Sequence, residues 1–121
     1  MSDPAQNRLD PAALARLLRI GGATLAREMI NLLLDYAPQR LSQALAAQRV
    51  GDLVGIAKAV HPLRSGGAHV GAFHLQDLAG RIEILAKQEA AAQIPPLLSE
   101  LEVAWAQTKV QLEKERESLN A

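Results

Sequence analysis

Apolar residues recur every three or four positions along most of this chain, the spacing that places side chains on one face of an α-helix. The pattern is clearest between Asp52 and Gly71. The apolar positions of that segment are Ile56, Val60, Leu63, Gly67 and Val70. No segment shows the strict alternation of apolar and polar residues that is typical of a half-buried β-strand. The sequence therefore predicts an all-α protein.

Capping and helix-breaking residues predict a short first helix. Residues 1–9 are mostly polar, and we expect them to be flexible. Asp10 followed by Pro11 is a typical N-cap and first helical residue. The glycines at 21–22 end this helix, because glycine favours the position just after a helix. The first helix should thus run to about Ile20.

The second helix is long and has apolar residues on two sides. Thr24 is its expected N-cap, Gln48 lies near its end, and Pro38 should interrupt or kink it. One side consists of Ile30, Leu34, Leu41 and Leu45, and the other of Leu25, Met29, Leu32 and Tyr36. We expect the short first helix to cover most of the second side, because small domains bury apolar area where they can. The alternative is that part of it stays open for a partner.

Turn residues separate three further helices. Residues 50–52 form a turn, Asp52 is the expected N-cap of the next helix, and Gly71 marks the following turn. Pro95-Pro96 starts the last helix, which ends in a charged segment. The apolar positions of the last two helices are Leu75, Leu78, Ala79, Ile82, Leu85, Ala86, Leu97, Leu101, Ala104, Thr108 and Leu112. We predict an antiparallel four-helix bundle at residues 10–117, the short first helix laid across it, and a flexible C-terminus at 118–121.

Composition narrows the possible functions of this single domain of 121 residues. Thirteen Lys and Arg residues balance thirteen Asp and Glu residues, so no net charge favours nucleic acid or an anionic membrane. No apolar run is long enough to span a membrane, and the N-terminus lacks the apolar core of a signal peptide, which favours a cytoplasmic protein. The absence of cysteine excludes disulfides, thiol nucleophiles and thiolate metal sites.

His61 is the strongest candidate for a chemically reactive side chain. At about 100° per residue it lies roughly 140° from the centre of the apolar face of its helix, so it should point to solvent or to a partner. The basic residues Lys58 and Arg64 lie on the same side. The small or apolar residues around it are Val54, Ala57, Ser65 and Ala68. A bulky partner could therefore approach the imidazole.

Three residues within six positions after His61 lower the stability of a helix. Proline in a helix interior costs about 3 kcal/mol and glycine about 1 kcal/mol, so Pro62, Gly66 and Gly67 need a reason. Gly67 lies on the apolar face, where a missing side chain would let a neighbouring helix approach closely.

The run HPLRSGGAHVGA, which begins at His61, resembles the signature of histidine-containing phosphotransfer domains. In that signature the histidine is followed by a hydrophobic residue at the second position, a lysine at the third, small residues, and a glycine at the tenth. Leu63, Arg64 and Gly71 occupy these positions, with arginine in place of lysine. The resemblance extends over nearly the whole chain, including Ala37-Pro38, the turn at Gly51-Asp52, and Leu75, Leu78 and Ile82-Glu83.

The resemblance implies an intermediate of a multistep two-component phosphorelay. His61 would accept a phosphoryl group from the aspartate of a response-regulator receiver domain and pass it to another receiver, with a hybrid sensor histidine kinase as a further partner. Arg64 and Lys58 would stabilise the phosphoryl oxygens by charge-assisted hydrogen bonds. The residues expected to dock the partner are Val54, Ala57, Ser65 and Ala68.

The same resemblance implies a phosphoryl carrier and not an enzyme with turnover of its own. The carrier would need no cofactor or metal, because the magnesium ion belongs to the receiver domain. Imidazole is largely uncharged at neutral pH and keeps a nucleophilic ring nitrogen, which suits this role. We expect a freestanding and monomeric shuttle.

Two alternatives remain open. Pro62 removes a backbone amide directly after the histidine, and Ser65 stands where the family usually has glycine, so the domain could instead dock on a receiver or kinase and regulate it without being phosphorylated. A remoter alternative is a helical scaffold without a signalling role.

His69 and His74 are expected to be solvated or capping residues. A metal site built from the three histidines is not expected, because their spacings of eight and five residues do not place two ligands on one helical face. Glu113 and Glu115 belong to the solvated charged end.

Overall fold

Four α-helices make up almost all of residues 4–120, the part of the chain that the computed structural model describes. They are α1 (Pro11–Arg49), α2 (Leu53–Val70), α3 (Phe73–Lys87) and α4 (Ile94–Leu119). Single turns of 3-10 helix at Pro4–Asn7 and Ala91–Gln93 precede α1 and α4. No β-strand occurs among the described residues, and the all-α prediction is confirmed.

The helices form a bundle in which each packs against two others. α2 lies between α1 and α3, α4 also packs against α1 and α3, and α2 therefore lies diagonally opposite α4. The short connections at residues 50–52 and 71–72 make consecutive helices antiparallel. The predicted four-helix bundle is confirmed. Within residues 4–120, no helix combines the length and the apolar character needed to cross a membrane.

α1 consists of two helical segments that meet at a kink, at the boundary predicted from the glycines at 21–22. Gly22, with φ 69° and ψ −167°, is the one residue of α1 with a non-helical backbone, in a region that is open almost only to glycine. The predicted end of the first helix is therefore confirmed, whereas the predicted N-cap at Thr24 is wrong, because Gly22 is the one non-helical residue and the second segment begins directly after it. α1 also continues through Pro38 without interruption.

The segment of α1 before Gly22, which we call the N-terminal arm, packs beside the turn between α2 and α3. The Asp10 amide donates a hydrogen bond of 2.9 Å to the Gly71 carbonyl, and Gly71 has a left-handed φ of 79°. Leu17 is buried and shares a groove with Ala68 and Phe73. The arm thus covers the turn between α2 and α3, whereas we had expected it to cover the second apolar side of α1.

The buried face of α1 lies between the two predicted apolar sides. Its buried residues after Gly22 are Ala26, Ile30, Leu33, Ala37, Leu41 and Ala44. Half of them are alanines, and their small size lets the neighbouring helices approach α1 closely. Alanines do not stand out in a pattern of large apolar residues, so that pattern does not place them in the buried face. Tyr36, from the predicted second side, packs against α2, whereas Leu32 remains 54% exposed.

The residues before α1 lie against α4. Asn7 is buried, and its side-chain amide donates a hydrogen bond of 2.6 Å to Gln107 Oε1. Gln111 accepts a hydrogen bond of 2.9 Å from the Leu9 amide and donates one to the Asn7 carbonyl. At the other end, the Leu119 carbonyl accepts from Arg27 Nη1 at 3.1 Å. These contacts involve the two segments predicted to be flexible, residues 1–9 and 118–121. Residues 1–3 and 121 lie outside the described part of the chain.

Candidate functional site

α2 presents His61 to solvent in the way the helical pattern predicts. The helix begins at its N-cap Asp52, whose Oδ1 accepts a hydrogen bond of 2.9 Å from the Gly55 amide. All five residues of the predicted apolar face, Ile56, Val60, Leu63, Gly67 and Val70, are buried. The side chain of His61 is 58% exposed. The predicted orientation of His61 is thus confirmed.

Pro62 lies inside α2, which continues without interruption on both sides of it. The hydroxyl of Tyr36 on α1 donates a hydrogen bond of 2.9 Å to the Pro62 carbonyl. Burial raises the pKa of Tyr36, against an opposing effect of the Arg40 charge, so the hydroxyl keeps the proton that it donates. α1 therefore ties down the helix backbone directly after His61.

The two glycines of α2 each make room for a neighbour. A Cβ atom at Gly66 would overlap the Tyr36 hydroxyl and lie 2.9 Å from Leu33 Cδ1. A Cβ atom at Gly67 would lie 3.0 Å from the Ala72 carbonyl oxygen and 3.2 Å from the Gln76 amide nitrogen. The close approach expected at Gly67 is confirmed, and the approaching group is the backbone at the start of α3. These glycines fix the position of α2 between α1 and α3.

The imidazole of His61 is hydrogen-bonded to Glu83 of α3, with 2.9 Å between Nδ1 and Oε2. The side chain of Glu83 is only 6% exposed. An ionised carboxylate can only accept a hydrogen bond, so Nδ1 must carry the proton. In a neutral ring this leaves Nε2 with a free electron pair. The contact therefore selects the tautomer in which Nε2 carries no proton.

Glu83 also holds two cations. Arg64 Nη1 donates to Oε1 at 3.1 Å, and Lys87 Nζ donates to Oε2 at 3.3 Å. Burial acts to raise the pKa of Glu83, but the hydrogen bonds from Arg64, His61 and Lys87 outweigh it and hold the pKa below its usual value of 4.5. Glu83 is consequently a carboxylate at neutral pH, as the tautomer of His61 requires.

The two cations predicted to contact the phosphoryl group lie in different surroundings. Lys58 lines a shallow depression at His61, which we call the His61 depression. The complete lining consists of Arg40, Ala57, Lys58, His61, Pro62, Glu83 and Lys87. Arg64 instead extends over Gly80 of α3, where a Cβ atom would lie 3.6 Å from Arg64 Cδ, and it lines a neighbouring groove with Phe73.

The four residues predicted to dock a partner differ in accessibility. Val54 is 65% exposed and Ser65 is exposed, whereas Ala57 and Ala68 are partly buried. Ala57 lines the His61 depression, but Ala68 borders the groove beside the N-terminal arm. Their docking role stays a prediction.

The other histidines lie away from His61. His69 is exposed in the last turn of α2, and His74 is partly buried in the first turn of α3. Among residues 4–120, no cluster of three or more His, Asp or Glu side chains is arranged to hold a metal ion.

Sequence reasoning missed the site roles of Glu83 and Lys87, because both lie on a different helix from His61. One signal was available. Glu83 follows Ala79 by four positions and precedes Ala86 by three, so a charged residue occupies the buried face of α3. A buried charge needs a partner, and such a residue is therefore a candidate member of a site.

Comparison with known families identifies this arrangement. A family model described as the Hpt domain matches residues 28–119, a segment that contains His61, Arg64 and Glu83. The chain belongs to the Hpt domain family. Members of this family are phosphocarriers of two-component phosphorelays. No curated protein sequence matches this Hpt domain at a significant level.

Solved structures with the same fold include two bacterial proteins. Histidine-containing phosphotransfer protein B (HptB) from Pseudomonas aeruginosa PAO1 aligns with a TM-score of 0.84 at 22% identity, over 91% of this chain and 95% of that one. The HPT domain of a sensor hybrid histidine kinase from Shewanella aligns with a TM-score of 0.81 at 21% identity, over 98% of this chain and 100% of that one. At these identities the likeness establishes the fold.

Proposed function

We propose that this Hpt domain is a phosphorelay intermediate, which accepts a phosphoryl group on His61 from a receiver-domain aspartate and passes it to another receiver. The observation that supports this most directly is the pairing of an exposed imidazole with a buried carboxylate. Glu83 accepts from Nδ1 and leaves Nε2 free to attack. Membership of the Hpt domain family supports the same role.

The transfer forms one bond and breaks another. The electron pair of His61 Nε2 forms the N–P bond while the bond between phosphorus and the aspartyl oxygen of the donor breaks, and its electron pair returns to that carboxylate. Nδ1 keeps its proton, so the phosphorylated ring carries a positive charge. The carboxylate of Glu83, 2.9 Å from Nδ1, stabilises this charge as it develops. Transfer to the next receiver reverses the same steps.

The charge around the site suits an acidic partner. Lys58, Arg40 and Lys87 line the His61 depression, and Arg64 lies on the opposite side of Glu83. A receiver brings an acidic pocket and a phosphoryl group, so opposite charges would meet when the domains dock. The receiver would also supply the magnesium ion, and the Hpt domain would act in the cytoplasm with a receiver or a hybrid kinase as its partner.

The test is transfer of acid-labile phosphate from phosphorylated receivers of the same organism. We expect the wild-type protein and a His69→Gln variant to become phosphorylated and a His61→Gln variant to remain unmodified. His69 is the matched control, because it is an exposed histidine on the same helix. The small donor phosphoramidate provides a second assay that needs no partner.

The other outcomes distinguish the alternatives. Measurable receiver binding without phosphorylation of the wild-type protein by any donor would favour a docking module. Neither binding nor phosphorylation would favour a helical scaffold. Phosphorylation of the His61→Gln variant would mean that another residue is the acceptor.

A further inference from the structure

Lys87 and His61 share one oxygen atom of a buried carboxylate. The Nδ1 atom of His61 lies 2.9 Å from Glu83 Oε2, and the ammonium group of Lys87 lies 3.3 Å from the same atom. Lys87 is thereby held beside the imidazole although it lies on another helix. Its side chain is 68% exposed, so the flexible lysine stem can rearrange without moving the helix.

The other charged groups around His61 come from three helices. Arg40 of α1, Lys58 of α2 and Lys87 of α3 line the His61 depression, in which Glu83 is the one acidic residue. α4 lies diagonally opposite α2 and contributes no residue to the depression. Three cations against one carboxylate leave an excess of positive charge beside Nε2, and this excess suits a phosphoryl group.

We propose that Lys87 is a phosphoryl-binding residue of this Hpt domain, and that its ammonium group contacts the phosphoryl oxygens once His61 is phosphorylated. The proposal rests on the proposed function. Arg64, which was expected to do this, extends over Gly80 and lies outside the His61 depression. Arg64 is bound to the other oxygen of Glu83, and its contact with the phosphoryl group stays a prediction.

Phosphorylation itself changes what Lys87 interacts with. Before transfer, Glu83 accepts the hydrogen bond from His61 Nδ1 and has Arg64 and Lys87 as its counter-ions. After transfer, the ring is positively charged and takes over part of that role, while a phosphoryl group of charge about −1.5 to −2 appears at Nε2. Lys87 then gains more from the phosphoryl oxygens than from Glu83.

The test measures the charge state of the phosphoryl group by phosphorus NMR. Wild-type, Lys87→Gln and Lys58→Gln proteins are phosphorylated on His61 with phosphoramidate, and the phosphorus chemical shift is followed as a function of pH. Lys109→Gln is the matched control, because Lys109 is an exposed lysine of α4 and α4 does not line the site. Circular dichroism checks that each variant is folded.

We expect the Lys87→Gln variant to raise the pKa of the phosphoryl group by roughly 0.5 to 1 unit, because a nearby cation favours the dianion. Lys109→Gln should leave it unchanged, and Lys87→Arg should restore most of the wild-type value. Equal titration curves for Lys87→Gln and the wild-type protein would overturn the proposal while leaving the proposed function intact. A shift caused by Lys58→Gln alone would assign the role to Lys58 instead. If the wild-type protein forms no phosphohistidine, the proposed function fails as well.

Discussion

Glu83 is the residue that connects the polar groups around His61. It lies on α3, is almost completely buried, and accepts hydrogen bonds from His61, Arg64 and Lys87. An unpaired carboxylate in this position would be costly, and the three donors compensate for its burial. One residue thus sets the tautomer of His61, holds two cations in place and links α2 to α3.

The stability provided by Glu83 should depend on pH. Its folded-state pKa is lower than the usual value of 4.5, so its contribution is complete above that value and is lost as the pH falls through the lower, folded value. We expect Glu83→Gln to reduce the free energy of unfolding by about 1–3 kcal/mol at pH 7, and the deficit to shrink below pH 4.5. Urea denaturation at several pH values measures this. Glu102→Gln, at an exposed position of α4, is the control, and a deficit that stayed constant into acid would contradict the explanation.

Gly66 and Gly80 allow a matched test of packing against helix propensity. A Cβ atom at Gly66 would overlap the Tyr36 hydroxyl, whereas one at Gly80 would make only ordinary contact with Arg64. We expect Gly66→Ala to destabilise the protein by about 1–3 kcal/mol and Gly80→Ala to stabilise it by about 0.5–1 kcal/mol. Thermal denaturation compares the two. Tyr36→Phe should relieve part of the Gly66→Ala defect, and two alanine variants of equal stability would show that Tyr36 does not fill that space.

At the level of elements, the bundle depends on contacts between segments distant in the sequence. The hydrophobic pattern located α2, α3 and α4 because each buries one continuous apolar face. It placed the kink of α1 correctly at the glycines 21–22, but it misplaced the N-cap that follows and overlooked the small alanines of the buried face. It also gave no indication that residues 7–9 lie on α4, because these contacts are hydrogen bonds between polar groups about 100 positions apart.

Gln111 tests whether the residues before α1 contribute to stability. It bonds the backbone of both Asn7 and Leu9, so Gln111→Ala should leave two polar backbone groups without their partner. We expect a loss of about 1–3 kcal/mol in the free energy of unfolding and faster amide hydrogen exchange at Leu9. Lys114→Ala, an exposed position on the same helix, should have little effect. If the two variants were equally stable, residues 1–9 would be flexible, as the sequence predicts.

At the level of the whole molecule, the bundle places the surface that carries His61 on the side opposite α4. α2 carries His61 and lies between α1 and α3, so a partner that reaches His61 approaches from the side away from α4. Among the predicted docking residues, Val54 is the most exposed apolar side chain. Val54 lies on the same face of α2 as His61, seven residues before it. We therefore expect both side chains to contact the same partner.

Val54→Glu should weaken receiver binding by about tenfold, because it places an acidic group where an apolar one would be buried against an acidic partner. Val110→Glu is the control, since Val110 is an equally apolar and 50% exposed residue of α4. Titration calorimetry measures the affinity and circular dichroism the folding of each variant. A larger effect of Val110→Glu would place the docking surface on the other side of the bundle.

The helices with a single apolar face, the exposure of His61 and the phosphotransfer signature could all be predicted from the amino-acid sequence, because they depend on spacing along one helix. The groups that surround the imidazole depend instead on how the helices pack against one another. Glu83 and Lys87 reach His61 from α3, and Tyr36 reaches the next residue, Pro62, from α1. Periodicity tells which side of a helix faces the core but not which residue of a neighbouring helix lies opposite. That choice depends on how closely the helices pack, and here the approach is set by Gly66 and Gly67.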